Sequence, residues 1–119
     1  MLVAACTTHP APAPAPPVIR APARGGGPLS LVTAVDALTT EFCAHENACD
    51  RVGPGRRFAT ADDCHDAFVT STRKQLNADL CMTGYVESEE LDTCLDSIRK
   101  AACIADIETV CKPAKLCSP

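Results

Sequence analysis

Residues 88–103 read SEELDTCLDSIRKAAC, and this stretch decides the fold class. Leu91, Cys94, Leu95, Ile98 and Ala102 recur at the three- and four-residue spacing that places side chains on one helical face. Glu89 and Glu90 stand at the start, where a helix dipole favours acids. The pattern predicts an amphipathic helix beginning near Ser88 that carries a cysteine on its buried stripe. Such a helix needs neighbours to cover one face, and the segments around it have the same period.

In SLVTAVDALTTEFCAHENAC, Leu31, Val35, Leu38, Phe42 and Cys49 share a stripe, and Ser30 is placed as an N-cap. A second helix is expected from Thr60, where Thr60-Ala-Asp-Asp63 resembles a capping box, running through Cys64, Phe68, Leu76 and Leu80. Val52-Gly53-Pro54-Gly55 is the turn between them. A short fourth turn, Ile104 to Val110, should end before Pro113. No stretch shows sustained period-two alternation, so the reading is all-α: a small bundle of three to four helices.

The cysteines decide what holds the bundle together. The chain has 119 residues, with nine cysteines, three Phe, one Tyr and no Trp, so its apolar interior is thin for its length. A cysteine density of this order marks a disulfide scaffold in an oxidising compartment. Eight of the nine lie between Cys43 and Cys117: Cys43, Cys49, Cys64, Cys81, Cys94, Cys103, Cys111 and Cys117. That even number suits about four disulfides, each contributing roughly 2–4 kcal/mol, enough to decide whether so sparse a core folds.

Helix geometry restricts the pairing. Cys64 and Cys81 on one continuous helix would stand about 25 Å apart, and Cys43 and Cys49 about 9 Å, beyond the roughly 7 Å Cα limit. The same holds for Cys94 and Cys103 if their helix continues. Bridges must therefore run between elements, and Cys49 with Cys64 and Cys81 with Cys94 are the preferred partners across the two intervening loops.

Cys6 stands apart, ahead of a proline-rich run. Val3-Ala4-Ala5-Cys6 looks like the end of a bacterial lipoprotein signal, so residues 1–6 are read as a remnant signal with Cys6 as the lipid attachment site. Multiple acyl chains give firm membrane association. Only five residues precede Cys6, which suggests a start codon placed too late. The plain alternative is a chance cysteine in a tail. Residues 7–28 hold seven of the ten prolines and read as a Pro/Ala/Gly-rich linker of extended polyproline type, leaving 29–119 as the disulfide-rich domain. Thr7 rather than Asp after Cys6 points to the periplasmic face of the outer membrane in the cell envelope.

Several chemistries are disfavoured. Residues 29–119 hold nine Lys/Arg against all fifteen Asp/Glu, an acidic balance that argues against nucleic-acid binding. Cys43, His45, Cys49, Cys64 and His65 mix zinc-ligand types, but no C-x-x-C occurs, so neither metal nor any other cofactor is expected. G-x-S-x-G is absent and a cysteine nucleophile would have to be unpaired, so no catalytic residues are assigned. Arg56-Arg57-Phe58 is the one basic-aromatic spot; an exposed loop with Phe58 anchoring the next helix explains it best.

Taken together, Cys43-x5-Cys49, DRVGPGRRFATADDC, ADLCMTGYVESEELDTCLDSIRKAAC and the closing CKPAKLC resemble an uncharacterised family of small bacterial lipoproteins, domain-of-unknown-function family 6184, associated by label with natural-product biosynthesis. The resemblance covers nearly all of residues 40–117. It implies a lipid anchor on Cys6 and four disulfides, and no activity. The expectation is a non-enzymatic envelope lipoprotein, attached to the membrane through lipid and presenting a module that binds a protein or small molecule. An accessory enzyme or carrier of secondary metabolism and a secreted inhibitor-like module are the alternatives.

Overall fold

A computed structural model describes residues 27–117. Cys6 and residues 7–26 of the linker lie outside the described residues. The element order is β1 (Pro28–Ser30), α1 (Leu31–Ala48), α2 (Ala61–Gln75), β2 (Tyr85–Glu87), α3 (Ser88–Lys100), α4 (Ile107–Val110) and a 3₁₀ turn, Pro113–Cys117. The domain is all-α, as its periodicity requires.

Local chemistry sets the helix starts. The Ser30 hydroxyl accepts from the Thr33 backbone N–H at 3.1 Å, and Thr60 does the same for Asp63 at 3.1 Å, so each cap satisfies an otherwise orphan donor. Asp62 and Asp63 occupy the first turn of α2, with Arg73 and Lys74 in its last. The expected caps of both helices are therefore present.

Three boundaries differ from expectation. α2 stops at Gln75 rather than running through Leu80, because Asn77 closes it: its Nδ2 donates to the carbonyls of Arg73 (3.1 Å) and Lys74 (3.2 Å), while its Oδ1 accepts from the Asp79 and Leu80 N–H groups. Leu76 is buried and Leu80 is 57% exposed, so the apolar spacing at Leu80 was fortuitous. α3 stops at Lys100, since Ala101 is already extended, and Ala102 is exposed outside the helix instead of on its stripe. The fourth helix begins at Ile107, after an Asp106 cap, rather than at Ile104.

A short two-stranded antiparallel sheet was not foreseen. β1 pairs with β2 in the register Pro28↔Glu87, Leu29↔Val86 and Ser30↔Tyr85. Three-residue strands are too short to show an alternation pattern. The pairing ties the start of α1 to the start of α3.

α1 and α2 form an antiparallel hairpin, and α3 packs against α1 from the other side. Ala34, Val35, Leu38 and Phe42 of α1 meet Phe68, Leu76, Val86, Leu91 and Ile98 in one core. Phe42 stacks on Phe68 with ring centroids 5.0 Å apart, and Phe58 tilts against Phe68 at 5.7 Å. Phe58 thus anchors the turn to α2. Within that turn Gly55 has a φ of +77°, in the left-handed region that favours glycine.

All eight cysteines of the domain are paired: Cys43 with Cys64, Cys49 with Cys103, Cys81 with Cys117 and Cys94 with Cys111. Their Cα separations run from 4.8 to 5.9 Å. Every bridge joins two different elements or loops, as the helix geometry demanded. Neither preferred pair occurs. Cys64 bonds to Cys43, not Cys49, because the Phe42–Phe68 stack sets the phase of the hairpin and brings Cys43, next to Phe42, over the first turn of α2. Cys81 bonds to Cys117, not Cys94, because the segment after α3 folds back and delivers Cys111 to the face of α3 and Cys117 to the loop below α2.

Candidate functional site

Two places in the domain carry chemistry beyond packing. The first is a groove of about 530 Å³ between the start of α1 and the second half of α2. Leu31, Val35, Val69 and Leu76 supply its apolar lining. Asp36 from α1 and His65 and Arg73 from α2 stand along the same groove. None of these three side chains has a hydrogen-bond or ion-pair partner among the described residues, so each is available to a ligand. The size lies within the range of about 300–1,000 Å³ usual for small-molecule sites. Periodicity places Val35 and Leu76 in the core; of the polar members the sequence marks only His65, as one of the zinc-ligand types.

The second place is a buried carboxylate. Glu46 has no exposed side-chain surface, and two arginines meet it: Arg51 Nη1 lies 3.3 Å from Oε1 and 3.1 Å from Oε2, and Arg57 Nη1 lies 3.2 Å from Oε1. Arg51 also donates from Nη2 to the Cys103 carbonyl. The Arg57 guanidinium sits 4.8 Å above the Phe58 ring. The basic-aromatic spot is an exposed loop whose charges are paired: Arg57 meets Glu46, and Arg56 pairs with Asp50 at 3.0 Å. Glu46 was missed, although its position four residues after Phe42 and eight after Leu38 puts it on the apolar stripe, and a buried acid there needs cations.

His45 is buried beside this cluster. Its Nε2–H donates to the Ala101 carbonyl at 3.0 Å, holding the end of α3 against α1. The Cys49 sulfur lies 3.8 Å from His45 Nε2 and 4.0 Å from Nδ1. Cys43, Cys49, Cys64, His45 and His65 do not assemble as ligands, since the sulfurs are spent in bridges; among the described residues no three His, Cys, Asp or Glu side chains gather as a metal site. No described helix is long and apolar enough to cross a membrane.

The cysteine framework and its interleaved turns decide the family. The profile of a family of unknown function, DUF6184, matches residues 43–119. The chain belongs to the DUF6184 family. No curated protein and no solved structure matches it. The DUF6184 match begins at Cys43, the first cysteine of the first bridge, and extends past Cys117, the last. All four disulfides therefore fall inside the family region, as do Glu46, Arg51 and Arg57, whereas the α1 side of the groove, Leu31 to Asp36, precedes it.

Proposed function

We propose that this DUF6184 chain is a non-enzymatic lipoprotein of the cell envelope, held to the membrane by acyl chains on Cys6, and that its disulfide-clamped domain is a binding module. The observation that carries the reading is the complete pairing of the eight cysteines from Cys43 to Cys117. Complete pairing suits an oxidising compartment and leaves Cys6 as the odd sulfur. With no unpaired thiol in the domain, the usual cysteine nucleophile is missing from its repertoire, and binding is the activity its surface favours.

The binding surface in this reading is the α1–α2 groove. Its apolar lining suits a hydrocarbon body, and the unpaired Arg73 guanidinium suits a carboxylate head, so the ligand class is a small apolar acid. The natural-product label of the resembling family gives such a module an accessory role toward an apolar acidic metabolite.

Two experiments test these statements separately. Protein extracted from the native envelope should carry the mass of acyl chains on the Cys6 peptide, and Cys6→Ala should leave the membrane; an unmodified Cys6 refutes the anchor. Decanoate titrated into isotope-labelled protein should shift the amide resonances of Val69, Arg73 and Leu76, with Arg73→Gln weakening binding about tenfold. Shifts scattered over the surface, or none, refute the groove. A deletion strain with an unchanged metabolite profile would remove the biosynthetic role.

A further inference from the structure

The four bridges are not equivalent in their exposure to solvent. Cys94 and Cys111 are both buried, and so are Cys64, the partner of Cys43, and Cys81, the partner of Cys117; each of these three bridges has at least one buried member. The Cys49–Cys103 bridge has none: Cys103 is exposed and Cys49 half-buried. Thiol–disulfide exchange requires an incoming thiolate to reach one sulfur and the other to leave as thiolate, so access and stabilisation of the leaving sulfur decide which bridge reacts.

Both requirements point to this bridge. The exposed member is Cys103, and the leaving sulfur, on Cys49, lies against the His45 imidazole, 3.8 Å from Nε2 and 4.0 Å from Nδ1. The charged groups around it are Arg51, bonded to the Cys103 carbonyl, and Arg57, both on Glu46, together with the Asp50–Arg56 pair. Two arginines on one carboxylate leave the cluster that reaches Cys103 through Arg51 net positive by one charge, which favours an approaching and a departing anion alike. Opening would not release the loop. The contacts from His45 to the Ala101 carbonyl and from Arg51 to the Cys103 carbonyl are independent of the sulfurs and keep the two cysteines close for reclosure. The other three bridges still clamp the hairpin, α3 and the C-terminal turn.

We propose that Cys49–Cys103 is a thiol-exchange centre whose reaction partner is an external thiol. In the first step the partner thiolate attacks Cys103 Sγ; the new sulfur–sulfur bond forms as the Cys49–Cys103 bond breaks, and the electron pair goes to Cys49 Sγ, which takes up the proton that the partner has lost. In the second, another partner thiolate attacks the partner sulfur of the mixed disulfide and frees Cys103. The bridge gains two electrons and two protons, and two thiols become one disulfide. Run in reverse, the centre delivers electrons to an oxidised partner.

The test uses the full oxidised chain with reduced glutathione under native conditions, trapping thiols with N-ethylmaleimide at intervals and mapping them by mass spectrometry. Glutathione should appear on Cys103 and maleimide on Cys49 about tenfold faster than label on any of the other six domain cysteines, with the helical circular dichroism signal retained. First opening of another bridge, or simultaneous labelling of all eight with loss of helix, overturns the proposal. His45→Gln should slow opening at Cys49–Cys103 about tenfold and leave the Cys94–Cys111 rate unchanged. An unchanged rate at Cys49–Cys103, or an equal change at all bridges, removes the imidazole and with it the centre as drawn.

Discussion

Arg51 follows Glu46 by five residues and binds it with one guanidinium nitrogen, Nη1, 3.3 and 3.1 Å from the two carboxylate oxygens. The return is possible because α1 ends between them: the Arg51 N–H reaches back to the Glu46 carbonyl at 2.9 Å, and Asp50 adopts a left-handed φ of 62° to turn the chain. A helix end thereby becomes a clamp on a buried charge. From Arg51 the clamp extends to the Cys103 carbonyl, so one ion pair joins α1, the turn before α2 and the loop after α3.

The two arginines should not be equal in consequence. Arg51 is 30% exposed and bonds both the carboxylate and a carbonyl, whereas Arg57 is 54% exposed and bonds only the carboxylate. Arg51→Met is expected to cost about 3 kcal/mol, because it uncovers a buried anion, and Arg57→Met about 1 kcal/mol. Urea denaturation of both variants checks the order. Equal losses would show that Glu46 is held by charge alone and not by the Arg51 geometry.

The bridges offer a second ordering. Cys49–Cys103 closes 54 residues, Cys43–Cys64 closes 21 and Cys94–Cys111 closes 17. On chain-entropy grounds the paired alanine variants should lose about 4, 3 and 3 kcal/mol respectively, each remaining cooperatively folded. Full reduction of all four should abolish the helical signal, since the core is small and its aromatic packing rests on Phe42 and Phe68 with half-buried Phe58. Denaturation midpoints of the three double variants and circular dichroism in strong reductant supply the measurements. Helix that persists after complete reduction would mean that packing alone suffices.

Asn77→Ala should destabilise the domain by about 1–2 kcal/mol, although Asn77 lies on the surface. It removes two donor bonds that terminate α2 and two acceptor bonds that start the next turn. The same turn presents buried Leu76 on one side and leads to Cys81 on the other. Amide exchange at residues 76–81 should quicken more than that in α3; uniform quickening would count against a local cap.

Much of this fold is legible where a signal is local. The α3 stripe from Leu91 to Ile98, the Ser30 and Thr60 caps and the glycine turn depend on neighbours within a few residues, and the structure contains them; Ala102 alone falls off the stripe. The end of α2 escaped because Leu80 continues the apolar spacing, while the competing hydrogen bonds of Asn77 carry no periodic mark. The disulfide partners escaped for a different reason. Helix rise excludes pairs within one element but says nothing of the rotational phase between elements, which the Phe42–Phe68 stack and the return of the C-terminal segment establish only in three dimensions. The groove is of that kind too, since Asp36 and Arg73 come to line one groove only because α1 and α2 are antiparallel.

The exposed face of α3 gives a pH-dependent prediction whose sign can be worked out. The Asp96 carboxyl is held below its ordinary range, chiefly by the hydrogen bond from Lys100 (2.8 Å between Nζ and Oδ2); desolvation opposes this, and the Lys100 and Arg99 charges add to the lowering. A carboxyl whose folded value is depressed adds stability in full above its unfolded value, near 4, and loses it as pH falls through the lower folded value. Asp96→Asn should therefore reduce stability slightly at neutral pH and by nothing at strongly acidic pH, where Asp96 is protonated in both states. Because the pair is open to solvent, molar salt should also erase the difference at neutral pH. Thermal melts of the two proteins across that pH range, with and without salt, read the effect. A deficit that survives in acid would place the origin in helix propensity or packing and not in the charge of Asp96.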